Sequence, residues 1–270
     1  TYTEVVRIIT DEQPDLILLQ EVDEGAERTD DEDQAARLRS LLPDYPCFSE
    51  TFYWRNSFTP HPRIWGSAGM KLVVLSRYQI GSAIRHQLAI MPEDPVSSQF
   101  NLKRAILEVR LPMQQGGEIA IMTTHLDAFA QGNDTMQKQV DEVQSLLQTR
   151  TNEQIPWLIA GDFNLLPNEQ AYQQLPPDLQ PIYNPQTEIT PLLDEFSVFP
   201  SVKDMASPQA AQWYTHFPNL PNATKPDRTI DYVFYSPQLS LIHGTVRNTD
   251  TLKISDHLPL ITEFNLGMTK

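Results

Sequence analysis

The stretch "KISDHLPLI" places an acid beside a base, because Asp256 and His257 adjoin each other between Ser255 and Pro259. A histidine can take a proton from water near neutral pH, and a carboxylate on its other ring nitrogen would fix the tautomer and stabilise the imidazolium. The segment "TIDYVFYS" offers such a carboxylate in Asp231. These residue types therefore predict a histidine base oriented by an aspartate.

Other polar residues share this position beside an apolar, strand-like run. They are Glu21 after "LILLQ", His125 after "IAIMTT", and Asp162 and Asn164 after "WLIAG". Gathered carboxylates repel one another unless a cation neutralises them, and hard oxygen ligands suit Mg²⁺ or Mn²⁺ better than zinc. Asn164 and His125 would donate to non-bridging phosphate oxygens, whose developing charge the cation stabilises. Together, these features predict a phosphoester hydrolase.

Each motif also has a purely structural interpretation. "GDFN" alone is a credible Asx-turn, "SDH" alone is a turn or helix cap, and His125 alone is a structural histidine. Glu21 alone fits a solvated strand end or a cap, and Asp231 alone could cap its strand or pair with Arg228. The joint occurrence of the motifs, in this order along the chain, favours the functional interpretation.

Short apolar runs predict the elements that must position these residues. The predicted strands are "DLILLQEV", "MKLVVLSRY", "AILEVRL", "EIAIMTTHL", "PWLIAGDFN", "TIDYVFYS" and "LPLITEFNL". Helices are predicted at the start of the chain, before Pro43, and in "NDTMQKQVDEVQSLLQTR", which Asn133 or Asp134 can cap. Residues 52–65 and roughly 167–226 read as loops. Strands outnumber helices, so we expect mainly antiparallel sheets packed face to face with helices outside.

Composition limits the possible function classes. The formal charge of −15 and the pI near 4.7 disfavour sequence-independent binding to duplex phosphates unless a metal supplies positive charge. The single cysteine, Cys47, excludes an intramolecular disulfide and a multi-cysteine zinc site. No apolar run approaches the roughly 20 residues of a membrane helix. We expect one soluble domain over residues 1–270, acting as a monomer.

The motif set resembles the endonuclease/exonuclease/phosphatase superfamily, which includes deoxyribonuclease-I-like nucleases, neutral sphingomyelinases and inositol polyphosphate 5-phosphatases. The resemblance implies a four-layer α/β sandwich and metal-dependent attack of water on a phosphate ester. The resemblance implies that Glu21 and Asp256 bind the metal. It implies that Asp162 and Asn164 position the water and the phosphate, and that Asp231 orients the catalytic base His257. His125 and Arg104 would contact the phosphate. Asp162 is the alternative base, and a solvated strand-end arginine is the alternative for Arg104.

Members of this superfamily usually open with a strand that carries a metal- or phosphate-binding Asn. No such strand precedes Thr1, so we expect the chain to begin after it, and an export signal stays possible. Two other functions remain open at this stage: a catalytically silent module that binds a phosphorylated ligand or a protein, and a phosphodiesterase acting at a lipid surface. The aromatic segments "FYWRNSF" and "AQWYTHF" could stack bases or touch lipid, but we expect most of their rings to cover the core.

Overall fold

The computed structural model describes residues 2–59, 66–94, 97–128, 132–218 and 220–267. The chain divides into two compact units, residues 1–125 and 126–270. Within the described residues, no helix combines the length and the apolar character needed to cross a membrane.

Where the structure describes it, the first unit contains two α-helices and six strands. In chain order these are α1 (Tyr2–Glu12), β1 (Leu16–Asp23), α2 (Gln34–Leu41), β2 (Cys47–Thr59), β3 (Gly66–Ser76), β4 (Ser82–Gln87), β5 (Ala105–Pro112) and β6 (Glu118–His125). Strands β1, β3 and β2 form an antiparallel sheet in that order, with β3 in the centre. Strands β4, β5 and β6 pair antiparallel in sequence order.

The two sets of strands in this unit pack face to face, and the helices cover the outer side. Leu72 to Leu75 of β3 are completely buried, as expected for a strand that is covered on both faces. On one face, β3 contacts β5 and β6. On the other, an apolar cluster joins α1, α2 and the sheet through residues that include Ile9, Ala35 and Val73. This arrangement confirms the predicted α/β class, with face-to-face sheets and outer helices.

The second unit contains the remaining helices and strands. These are α3 (Thr135–Asn152), β7 (Trp157–Asp162), α4 (Glu169–Gln173), α5 (Thr190–Glu195), β8 (Ser197–Phe199), α6 (Val202–Met205), β9 (Asp231–Tyr235), β10 (Leu239–Val246) and β11 (Leu260–Leu266). Strand β9 pairs antiparallel with β7 on one side and with β8 on the other. Strands β10 and β11 form a separate antiparallel pair.

Helix α3 covers β7 with the apolar stripe that its sequence predicts. Met136, Val140, Val143 and Leu147 are buried, and the side chain of Asn133 accepts a hydrogen bond from the Thr135 N–H at 2.9 Å. Next to β7, the ring of Phe163 packs edge-on against Tyr232 and Phe234 at 5.8 and 5.3 Å. This core anchors the ends of β7 and β9, where Asp162 and Asp231 lie.

Two loop predictions need correction. Residues 52–59 are part of strand β2, not an exposed loop, because Phe52 to Thr59 pair with β3 at the edge of the sheet; residues 60–65 lie outside the described residues. Among its described residues, the segment 167–226 holds three short α-helices, two 3-10 turns and β8, although it is largely irregular as predicted. It also contributes to the core, since Ile189 and Leu192 are fully buried.

Candidate active site

The structure places the predicted site residues in two groups, one in each unit. Glu21, Arg104 and His125 lie in the first unit, and Asp162, Asn164, Asp231, Asp256 and His257 lie in the second. Each group lies at strand ends or in the turns that adjoin them, as the sequence predicted.

The centre of the second group is a hydrogen-bonded pair of His257 and Asp231. The His257 Nδ1 atom lies 3.0 Å from both carboxylate oxygens of Asp231, the first residue of β9. Asp231 is buried, whereas the side chain of His257 keeps 30% of its surface exposed. Because the carboxylate can only accept, Nδ1 carries the proton, and Nε2 is the nitrogen that faces away from Asp231.

Asp162 lies on the other side of the imidazole. Its Oδ2 atom is 3.6 Å from the His257 Nε2 atom, and its Oδ1 atom accepts the Asn164 N–H at 2.8 Å. Asn164 has a φ of 53°, a left-handed conformation that asparagine tolerates better than most residues. Its side-chain amide donates to the Leu126 carbonyl at 3.1 Å, and Leu126 N–H donates to the Asp162 carbonyl at 2.9 Å. The "GDFN" segment is therefore an Asx-turn and also brings its carboxylate to His257.

These acids set the charge of His257. Burial of the ring lowers the pKa of His257, but the carboxylates of Asp231, Asp162 and Asp256 outweigh burial and raise that pKa to about 10. Without a bound cation, the imidazole is therefore protonated across the neutral range. A cation beside these carboxylates would oppose that effect.

Asp256 is exposed and belongs to a turn that ends at His257. The Ser255 hydroxyl accepts the His257 N–H at 3.1 Å, and the Phe217 N–H donates to the Asp256 carbonyl at 2.7 Å. The backbone of Asp256 is thus held by a neighbouring segment, while its carboxylate stays open to solvent. The turn interpretation of "SDH" is correct, and it coexists with the His257–Asp231 pair.

Thr215 and His216 approach this pair and were not predicted as site residues. The buried Thr215 hydroxyl donates to Asp231 Oδ2 at 2.6 Å. The His216 ring packs edge-on against the His257 ring, with 5.6 Å between centroids, and His216 Nδ1 bonds to Asp227 at 2.8 Å. Arg228 pairs with Asp227 at 2.6 Å, so among the residues described its ionic partner is Asp227 and not Asp231.

In the first unit, Glu21 lies at a bulge in β1 between Leu19 and Val22 and has a left-handed φ of 53°. Its side chain is 49% exposed, and its two oxygens lie 3.8 Å from His125 Nδ1 and 3.9 Å from Arg28 Nη2. The Arg28 guanidinium is fixed by the buried Asp23 through bonds of 2.7 and 2.8 Å. The left-handed bend therefore presents a half-exposed Glu21 carboxylate with His125 and Arg28 nitrogens 3.8 and 3.9 Å away.

His125 and Arg104 are both buried around Tyr53. The Tyr53 hydroxyl lies 3.1 Å from His125 Nδ1, and the Arg104 guanidinium lies 5.2 Å from the centre of the Tyr53 ring. Burial excludes the alternative of a solvated strand-end arginine for Arg104. In the two aromatic segments, Tyr53 and Phe217 are buried, but the other rings are half-buried or, for Phe58, exposed. Burial therefore supports the core-covering interpretation for only two of the seven rings.

The donor atoms fit a hard divalent cation. One ligand atom from each of Asp162, Asp231 and His257 lies within 4.8 Å of the others, a spacing that could hold a metal ion. Glu21 in the first unit and Asp256 in the second each have an exposed carboxylate. Carboxylate oxygens are ligands that suit hard divalent cations as a class.

Comparison with known proteins agrees with this chemistry. Residues 1–257 match the model of the Endonuclease/Exonuclease/phosphatase family. Comparison with curated proteins gives no significant match.

Solved structures share the fold at low sequence identity. An endonuclease/exonuclease/phosphatase from Beutenbergia cavernae matches with a TM-score of 0.67 and 24% identity, over 99% of this chain and 66% of that chain. The human Nocturnin catalytic domain with bound sulfate matches with a TM-score of 0.62 and 19% identity, over 98% of this chain and 85% of that chain. A mannosyl-6-phosphatase from Bacteroides thetaiotaomicron matches with a TM-score of 0.62 and 15% identity, over 98% of this chain and 90% of that chain. The chain therefore spans slightly less than two thirds of the Beutenbergia protein.

Proposed function

We propose, from the premise that the chain belongs to the endonuclease/exonuclease/phosphatase family, that it is a divalent-metal-dependent phosphoester hydrolase. The observation that carries this proposal is the group of Asp162, Asp231 and His257, in which a histidine lies between two buried acids. A histidine between two acids is an arrangement suited to moving a proton at a hydrolytic site. The family match spans this group.

In the reaction, the oxygen of a water molecule bonds to phosphorus and the phosphorus–oxygen bond of the ester breaks. The water proton passes to a base of the protein, and the leaving oxygen departs as an alcohol once it gains a proton. His257 serves as the base when neutral, with Asp231 fixing its ring and stabilising the imidazolium that forms. Asp162 is the alternative base, in which case the imidazolium of His257 stabilises the developing negative charge.

The metal and the phosphate are assigned to the other residues. Glu21 and Asp256 would hold Mg²⁺ or Mn²⁺, which when bound supplies positive charge to the phosphate oxygens. His125 and Arg104 would contact the phosphate. Asn164 can do the same while it keeps its bond to Leu126, because a side-chain amide has two N–H donors.

The test is hydrolysis of bis-p-nitrophenyl phosphate with Mg²⁺, with Mn²⁺ and with EDTA. We expect turnover with either metal and none with EDTA. We expect His257→Ala to lower kcat by roughly 100- to 10,000-fold with the fold retained, since general acid–base catalysis contributes factors of that order. His243→Ala is the matched control, because His243 is an exposed histidine of β10. Near wild-type hydrolysis by His257→Ala would contradict the assignment.

The substrate class is the finer part of the proposal. One structural relative is named as a phosphatase of a mannosyl 6-phosphate, a phosphate monoester. We therefore extend the assay to a panel of sugar phosphates, nucleotides, inositol phosphates, DNA and phospholipids. The silent binding module would instead show binding to one of these compounds with no metal-dependent turnover of any of them.

A further inference from the structure

The segment Thr215–Phe217 lies between the two parts of the chain that carry the His257–Asp231 pair. On one side, the Thr215 and His216 N–H groups both donate to the Arg228 carbonyl, at 2.9 and 3.0 Å. On the other side, Phe217 N–H donates to the Asp256 carbonyl and Leu258 N–H donates to the Thr215 carbonyl, each at 2.7 Å. These bonds tie the chain leading into β9 to the turn that contains His257.

The Thr215 hydroxyl has one hydrogen and two lone pairs, and all are used near Asp231. Its oxygen accepts the N–H groups of Ile230 and Asp231, both at 3.1 Å, and its hydrogen is donated to Asp231 Oδ2 at 2.6 Å. The two N–H groups occupy the lone pairs, so the O–H bond points at the carboxylate. Thr215 is completely buried, and water therefore does not compete for these bonds.

We infer that Thr215 is a positioning residue for the reaction: it fixes the rotation of the Asp231 carboxylate and thereby the ring of His257. This inference rests on the proposed function. The same Oδ2 atom accepts from Thr215 and lies 3.0 Å from His257 Nδ1, so the carboxylate cannot turn without breaking one of the two contacts. Thr215 touches neither substrate nor the reacting atoms; its effect passes through Asp231.

The first test compares steady-state kinetics of Thr215→Val and Thr215→Ser with the wild type. Valine keeps the shape and removes the hydroxyl, and we expect kcat to fall roughly 10- to 100-fold, the usual effect of removing an outer hydrogen-bond partner. We expect KM to change by less than about 3-fold, because Asp231 does not bind the phosphate. Serine keeps the hydroxyl and should restore kcat to within about 5-fold of the wild type.

Thr229 provides the matched control. It is a buried threonine beside the same strand, and its hydroxyl donates to the Trp213 carbonyl at 2.7 Å and not to Asp231. We expect Thr229→Val to keep the wild-type kcat. In the His257→Ala background, the effect of Thr215→Val on kcat should disappear, since a positioning residue has no effect once the residue it positions is gone.

The second test does not depend on activity. In the metal-free protein, proton NMR should show a downfield Nδ1–H signal for His257, lost or shifted upfield in Thr215→Val and kept in Thr215→Ser. If Thr215→Val does not fold, Thr215→Ala replaces it with the same expectations. The inference is overturned if the wild type is active and the variant without the hydroxyl keeps both the wild-type kcat and the Nδ1–H signal. A wild type that hydrolyses no ester would refute the proposed function alone, because the NMR comparison still reports on positioning.

Discussion

Replacing Asp231 with Asn should lower the pKa of His257 in the metal-free protein. From its ordinary value of 6.5, the pKa of His257 rises to about 10 because burial, which lowers it, is outweighed by the carboxylates, with Asp231 the largest contributor among them. A rise of that size corresponds to roughly 3–5 kcal/mol of preference for the imidazolium. Asparagine has nearly the same shape but no charge, so the pKa of His257 should fall by about 1–3 units.

The measurement is a pH titration of ¹³C-labelled histidine side chains by NMR with EDTA present. Asp227→Asn is the control: Asp227 pairs with His216 at 2.8 Å and not with His257, so the pKa of His257 should change by less than about half a unit. A wild-type His257 that titrates near 6.5, or an unchanged pKa in Asp231→Asn, would refute the electrostatic reasoning.

The same shift determines the sign of the pH effect on stability. A raised pKa in the folded state means that the His257–Asp231 pair stabilises the metal-free fold fully below pH 6.5 and that this contribution disappears as the pH rises through about 10. We therefore expect the free energies of unfolding of the wild type and of His257→Gln, measured in urea from pH 6 to pH 10, to converge toward high pH. Curves that diverge toward high pH would show that the sign is wrong.

Two further changes test other parts of the molecule. Glu21→Gln should raise the Mg²⁺ concentration for half-maximal turnover by about 10-fold or more, because a neutral amide binds a hard cation more weakly. Glu12→Gln, on the exposed side of α1, is the control and should leave that concentration unchanged. Lys71→Met should lower the free energy of unfolding by about 3 kcal/mol, since Lys71 is fully buried and bonds to Glu24, Glu50 and Asp33 at 2.6, 3.0 and 3.3 Å. The exposed Lys138→Met should change that free energy by less than about 1 kcal/mol in the same urea titration.

The sequence predicted best those elements whose apolar residues follow a period. The stripe of α3 and the continuous apolar runs of β3 and β7 match the structure because burial against a core imposes these patterns directly. Strand β4 was not predicted, since it is an exposed edge strand whose residues have no reason to be apolar. Strand β2 was not predicted either, and its residues from 52 onward were predicted as a loop. It too lies at a sheet edge, and its polar residues obscure the alternation.

The candidate residues were found through turn motifs, but their partners were not. "GDFN" and "SDH" are short, so the local chain brings their polar atoms together, and both turns are present. Thr215 lies sixteen residues from Asp231, and Arg28 is one of several charged residues in an acidic loop. Nothing in the spacing of a single sequence marks these contacts, because tertiary pairing of distant segments creates them.

The structural and functional interpretations of the two turns are complementary, because the atoms that form each turn differ from the atoms that meet at the imidazole ring. In "GDFN", Asp162 Oδ1 accepts the Asn164 N–H while Oδ2 faces the imidazole at 3.6 Å. In "SDH", Ser255 accepts the His257 N–H, which leaves both ring nitrogens for the two aspartates. A cap or turn that needed the same atoms as the chemistry would have argued against a site. Here the atoms are different, so the local hydrogen bonds hold the backbone rigid at the position where proton transfer requires a fixed geometry.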